Sequence, residues 1–132
     1  MTSPETKQLY YKEAKRYLSN AKDVLRKSKK DSIHYLDAKY IRSACGIAYL
    51  GILKAMDGYL LLKSHNGFEK PKNVQQYQHA LSKLDKKLLT KFNASYSFFH
   101  LWNYYQNEGP VKRTVFKDML DEAQEIVDVL KN

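Results

Sequence analysis

The stretch Ile41-Arg42-Ser43-Ala44-Cys45-Gly46-Ile47-Ala48-Tyr49-Leu50-Gly51-Ile52-Leu53-Lys54-Ala55-Met56-Asp57-Gly58-Tyr59-Leu60-Leu61-Leu62 decides the fold. Ala44, Ala48, Gly51, Ala55 and Gly58 recur at spacings of 4, 3, 4 and 3, which places small residues on one helical face where a neighbouring helix can approach closely. Ile41, Cys45, Ile47, Ile52, Met56 and Tyr59 add bulk on the flanking faces. A helix apolar around most of its girth is expected to be the central, most buried one. Residues 44–62 are nearly long enough to cross a bilayer. Lys54 and Asp57 lie inside that stretch, and each would be costly at mid-bilayer, so no membrane is implied. Cys45 reads as a small core hydrophobe.

Three further amphipathic segments flank this helix. The first opens at Ser3-Pro4-Glu5, a cap, a first-turn proline and an acid at the positive helix end. Its stripe is Tyr10, Ala14, Tyr17, Ala21 and Val24, widened by Leu18 and Leu25. Asp31 or Ser32 is expected to cap the central helix, and His65-Asn66-Gly67 to stop it. A third segment covers residues 74 to about 106, with the stripe Val74, Tyr77, Leu81, Leu84, Leu88, Phe92, Tyr96, Phe99 and then Trp102 or Asn103. Asp85 offers a cap that would break this segment into two helices. After Asn107-Glu108-Gly109-Pro110, the last segment carries Val115, Met119, Leu120, Ala123, Ile126, Val127 and Leu130 on one face. The expectation is an all-α single domain over residues 1–132, an antiparallel up-down four-helix bundle.

Composition narrows the function classes. With 132 residues, 43% hydrophobic and 28% charged, the chain suits one globular domain and no disordered tail. A single cysteine excludes a disulfide scaffold and points to a reducing compartment. The first residues, Met1-Thr2-Ser3-Pro4-Glu5, lack the apolar run of a signal peptide, so a cytoplasmic location is expected.

The net charge of +9 is unevenly placed: residues 1–30 hold nine Lys/Arg against three acids. Lys12, Lys15, Lys22, Arg26 and Lys29 follow a helical rhythm offset by about 200° from the core stripe, forming an outward basic ridge. The plainer reading of such a ridge is a solvated outer face, and the functional one is a surface for phosphates of nucleic acid or a nucleotide.

No metal site and no cofactor are expected. Paired Glu-x-x-His motifs, phosphate-cradling Gly-rich loops and a nucleophile elbow are all absent. His34, His65 and His79 read as surface residues. His100 lies in the aromatic tract Ser97-Phe98-Phe99-His100-Leu101-Trp102-Asn103-Tyr104-Tyr105. In an antiparallel bundle that end faces Arg42 on one side and residues 115–121 on the other. Arg42, His100, Tyr104 and Asp121 are the candidate ligand-binding set, because a guanidinium, an imidazole and an acid converging suit an anion; the plainer reading of His100 is a ring that packs sideways and bonds one neighbour.

On its size, helix order and Arg42-Ser43-Ala44-Cys45-Gly46-Ile47-Ala48-Tyr49, the chain resembles the HEPN superfamily of small four-helix bundles. The tract Tyr96-x-x-Phe99-His100-Leu101, followed by Tyr104-Tyr105, also resembles a small uncharacterised bacterial family of helical proteins. The ribonuclease members of the HEPN group carry an Arg, four to six residues and then His. None of Arg16, Arg26, Arg42 and Arg113 stands so before a histidine, and that role carries over to no residue. The resemblance implies a non-catalytic module, homodimeric, that binds RNA, a nucleotide or a partner protein. The alternatives are a basic RNA-binding bundle using the ridge and an enzyme using Arg42 and His100.

Overall fold

Helix α1 (Ser3–Leu25) lies along the small-residue seam of α2 (Ala38–Lys63). A Cβ added at Gly51 would fall 2.9 Å from the Tyr17 Cβ and 3.1 Å from the Ala14 carbonyl oxygen. At Gly58 it would fall 2.6 Å from the Tyr10 Cβ. Only glycine at these positions lets the two backbones come this close. The structure, a computed structural model, describes residues 3–64 and 67–131. The proposed Ser3 cap and the His65-Asn66 stop lie outside what is described, the former because the Ser3 side chain is not covered. Residue Lys63 ends α2, and Gly67 takes a positive φ of 89°.

Ala14, Leu18, Ala21 and Leu25 of α1 are buried, whereas Tyr10, Tyr17 and Val24 are only half-buried, so the true core line of α1 is rotated toward the leucines. Among the described residues α2 is the one helix long and apolar enough to span a membrane. Here it is the core helix: Ile41, Ala44, Cys45, Ala48, Ile52, Ala55 and Met56 are fully buried.

The start of α2 differs from expectation. Asp31 does not cap it; its Oδ1 accepts the Ile33 and His34 amides at 2.8 and 2.6 Å, closing a turn of its own. The chain then pairs as a short ribbon, β1 (His34–Tyr35) against β2 (Val111–Lys112), antiparallel. Helix α2 begins only after Asp37, whose carboxylate is engaged by the Lys29 amide at 2.7 Å and so leaves the helix amides uncapped.

The third segment is broken where the Asp85 alternative put the break. Helix α3 (Val74–Leu84) ends there and α4 (Lys86–Ser95) begins, with Asp85 Oδ1 accepting the Leu88 amide at 3.0 Å. Leu84 is accordingly 46% exposed rather than part of the stripe. From Tyr96 to Tyr105 the chain winds as a π-helix, which sequence periodicity did not anticipate. Its wider turn moves the inward face. Trp102 is 58% exposed, and Asn103 is buried in its place, donating to the Phe98 carbonyl at 2.9 Å.

Helix α5 (Arg113–Val127) and the 3-10 turn Asp128–Leu130 close the core. The inward residue of its first turn is Phe116, edge-on to Phe98 and Tyr35, and not Val115, which is exposed. The all-α expectation holds, with five α-helices, one π-helix and a two-stranded ribbon among the described residues.

Candidate functional site

The α2 face opposite the seam packs on the π-helix. Arg42 Nε donates to the Tyr104 carbonyl at 3.0 Å. Gly46 leaves room for the Tyr104 ring, because a Cβ there would sit 2.8 Å from its Cδ1. The His100 ring stands among Tyr49, Tyr96, Tyr104 and Tyr105, at centroid distances of 4.7, 5.4, 5.9 and 4.9 Å. Burial among these rings lowers its pKa below the ordinary imidazole value, and the Arg42 cation is not the cause.

Three of the four candidate residues, Arg42, His100 and Tyr104, are thus brought together. Asp121 is not. It is held by Lys117 at 2.8 Å on the exposed face of α5, because Phe116 and Leu120 take the inward positions.

Asp121 instead lines a groove of about 600 Å³ between the end of α1 and the start of α5, together with Lys22, Arg26, Arg113 and Lys117. The ridge residues Lys12, Lys15, Lys22, Arg26 and Lys29 are all exposed. The Lys15 ammonium rests 4.5 Å from the Tyr11 ring centroid, and Arg26 pairs with Asp23. Lys12, Lys15, Arg16 and Lys22 border a second hollow, which shares Lys22 with the first. Arg113 stacks over Tyr35 at 5.8 Å and donates to the Asp31 carbonyl at 3.1 Å. Arg113 and Lys117 escaped the sequence reading because they lie far along the chain, one helical turn apart on a helix whose local charge is balanced.

A third feature was missed altogether. Asp57 entered the sequence reading only as a charge unsuited to a membrane, yet it is 6% exposed in the fold. Tyr77 donates its hydroxyl proton to Asp57 Oδ1 at 2.6 Å, and the Lys70 ammonium stands 3.8 Å from Oδ2. Burial raises the Asp57 pKa, against the opposing pull of the Tyr77 hydrogen bond and of Lys70 and Lys54. Burial and the donation to Asp57 push the Tyr77 phenol up. Asp57 forms one end of a cleft of about 470 Å³ whose other end is bounded by Tyr49, Tyr96 and His100. The available signal was an acid on a helix otherwise apolar all round, which has to be buried against a donor.

Among the described residues no group of three or more His, Cys, Asp or Glu stands ready to hold a metal ion. The family model described as a domain of unknown function (DUF5618) matches residues 10–132. The chain belongs to the DUF5618 family. The matched span contains every feature above, from the ridge at Lys12 to the π-helix and α5. A protein of unknown function from Dyadobacter fermentans has a solved structure similar to this DUF5618 member, with a TM-score of 0.79 and 34% identity. The match covers 98% of this chain and 96% of that one. No curated protein matches the chain.

Proposed function

We propose that this DUF5618 protein is a non-catalytic binding module, a HEPN-like four-helix bundle in the coarse path of its helices, that engages the phosphates of RNA along α1 and α5. The observation that carries this reading is the groove in which Lys22 and Arg26 of α1 face Arg113 and Lys117 of α5. Cations from two helices on one concave surface can follow a phosphate backbone, which a solvated ridge on a single helix does less well. The non-catalytic part is supported by Arg42, whose Nε is bonded to a main-chain carbonyl, and by His100, whose ring is hemmed in by four tyrosines.

Fluorescence anisotropy with a single-stranded RNA, over a series of salt concentrations, tests the reading. Replacing Lys22, Arg26, Arg113 and Lys117 by Gln should weaken binding and reduce the log–log salt slope by roughly 0.7 for each phosphate no longer neutralised. An unchanged slope, or no binding by the wild type at low salt, removes it.

Homodimerisation is a second reading, supported by large exposed apolar or aromatic side chains, Ile33 and Leu36 beside the ribbon and Trp102 and Tyr105 on the π-helix. Sedimentation equilibrium of the wild type and of Trp102→Glu decides it: a dimer that the substitution dissociates supports it, and a monomeric wild type ends it.

A further inference from the structure

The Asp57 cleft has a chemistry that phosphate binding between α1 and α5 does not use. Its inner end is a carboxylate that has lost most of its exposure to water. One oxygen accepts from Tyr77, and the other faces Lys70 at 3.8 Å, beyond hydrogen-bond reach, with the lysine side chain itself 69% exposed. A buried carboxylate with one donor and a loosely held, solvated cation has room for a closer positive donor. A second polar group lines the same space: Tyr49 is 8% exposed, and its hydroxyl is free to bond water or a ligand.

The mouth has the opposite sign. Lys70 and Lys72 flank it, so a simple cation would enter against repulsion while a ligand that also carries an anion would not. The rest of the lining is mixed: Leu50, Leu53 and Val74 and the rings of Tyr96 and His100 supply apolar and aromatic surface, and Lys54 adds a further cation.

We infer that the cleft is a binding site for a free amino acid with a large apolar or aromatic side chain. The ligand ammonium meets Asp57, its carboxylate meets Lys70 and Lys72, and its side chain lies against the Tyr49, Tyr96 and His100 rings. Each part of such a ligand meets one part of the cleft, and the volume falls within the usual range for small-molecule sites. Lys70 moves from Asp57 to the ligand carboxylate, a short swing for a solvated side chain. The inference does not depend on the RNA reading, which concerns other residues.

Isothermal titration calorimetry with L-phenylalanine, phenethylamine (the amine alone) and 3-phenylpropionate (the acid alone) tests it. Circular dichroism establishes that each variant is folded. L-phenylalanine should bind with a Kd of about 1 mM or tighter, and each half-ligand about tenfold more weakly or worse. Asp57→Asn keeps the acceptor for Tyr77 and removes the charge, so it should weaken L-phenylalanine binding about tenfold or more. Lys70→Met, at an exposed position that leaves the core intact, should weaken L-phenylalanine and spare phenethylamine. No heat from L-phenylalanine at about 10 mM overturns the inference, leaving Asp57–Tyr77 as a structural pair. Equal binding of 3-phenylpropionate also overturns it, since the cleft would then be an anion site, as does undiminished binding by Asp57→Asn.

Discussion

The two sides of α2 are built on opposite rules. Toward α1 the helix offers the small residues Ala44, Ala48, Gly51, Ala55 and Gly58, with Lys54 at the margin over the Tyr10 ring, and the backbones meet at van der Waals range. Toward α3 and the π-helix it offers Tyr49, Leu53 and Asp57, bulky or polar groups that hold the neighbours off and leave a cleft. The first side converts sequence directly into packing, because interiors tolerate little extra volume. The second gives up some packing to keep polar groups near a cavity, and those groups carry what recognition chemistry this face has.

The sharpest way to break this contrast is Gly51→Leu. The added side chain would run into the Tyr17 Cβ and the Ala14 carbonyl, and a backbone carbonyl cannot step aside. Overpacking of this kind costs about 1–3 kcal/mol, occasionally more, and the better helix propensity of leucine offsets under ~1 kcal/mol of it. Thermal unfolding followed by circular dichroism should show a clearly lowered Tm. A variant that melts with the wild type would mean that α1 and α2 do not meet along the seam.

On the other side the expected effect is smaller and depends on pH. Asp57 holds its proton more tightly folded than unfolded, so the native state binds more protons than the unfolded chain as pH rises above the ordinary value of 3.8. Its contribution to stability is then fully present below that value and is lost as pH rises through the folded pKa. Asp57→Asn removes this loss while preserving the Tyr77 hydrogen bond. Denaturant unfolding should therefore find the variant more stable than wild type at neutral pH, with the gap closing toward pH 3.8. A gap that widened on acidification would place the Asp57 pKa below its ordinary value and contradict its burial. Tyr77→Phe should cost about 1 kcal/mol at neutral pH, by stripping a buried carboxylate of its donor.

The smallest effect concerns His100, where the seam-side logic of burial reaches the aromatic side. NMR titration should place the ring below 6.5. Arg42→Ala should leave that value in place, because the shift comes from burial. Tyr105→Ala, which uncovers one edge of the ring, should return it toward 6.5. A large upward move in Arg42→Ala would reverse the assignment of cause.

Much of this was legible locally. The 4-3-4-3 run of small residues marks α2 as the helix that another helix can touch, since a side chain's size and its place on a 3.6-residue turn need no knowledge of the partner. Asp85 marks its own helix start, because a cap bonds an amide three residues away, at Leu88. What escaped local reading depends on distant partners or on a changed helical pitch. Asp31 looked like a cap, but its turn is fixed by a ribbon whose second strand lies at Val111–Lys112. The π-helix puts Asn103 rather than Trp102 on the inward face, a choice that α-helical periodicity leaves open. Antiparallel helix order alone puts Asp121 beside His100, but the rotation of α5 about its axis, set by Phe116 against Phe98, turns it to the groove with Lys22 and Arg113. Asp57, Lys70 and Tyr77 belong to α2, a loop and α3, so only the packing of these elements makes one group of them. Hydrophobic periodicity reports which face of a helix leaves water. Which side chains meet on that face is decided by the elements that cover it, and here that decision belonged to the tertiary structure.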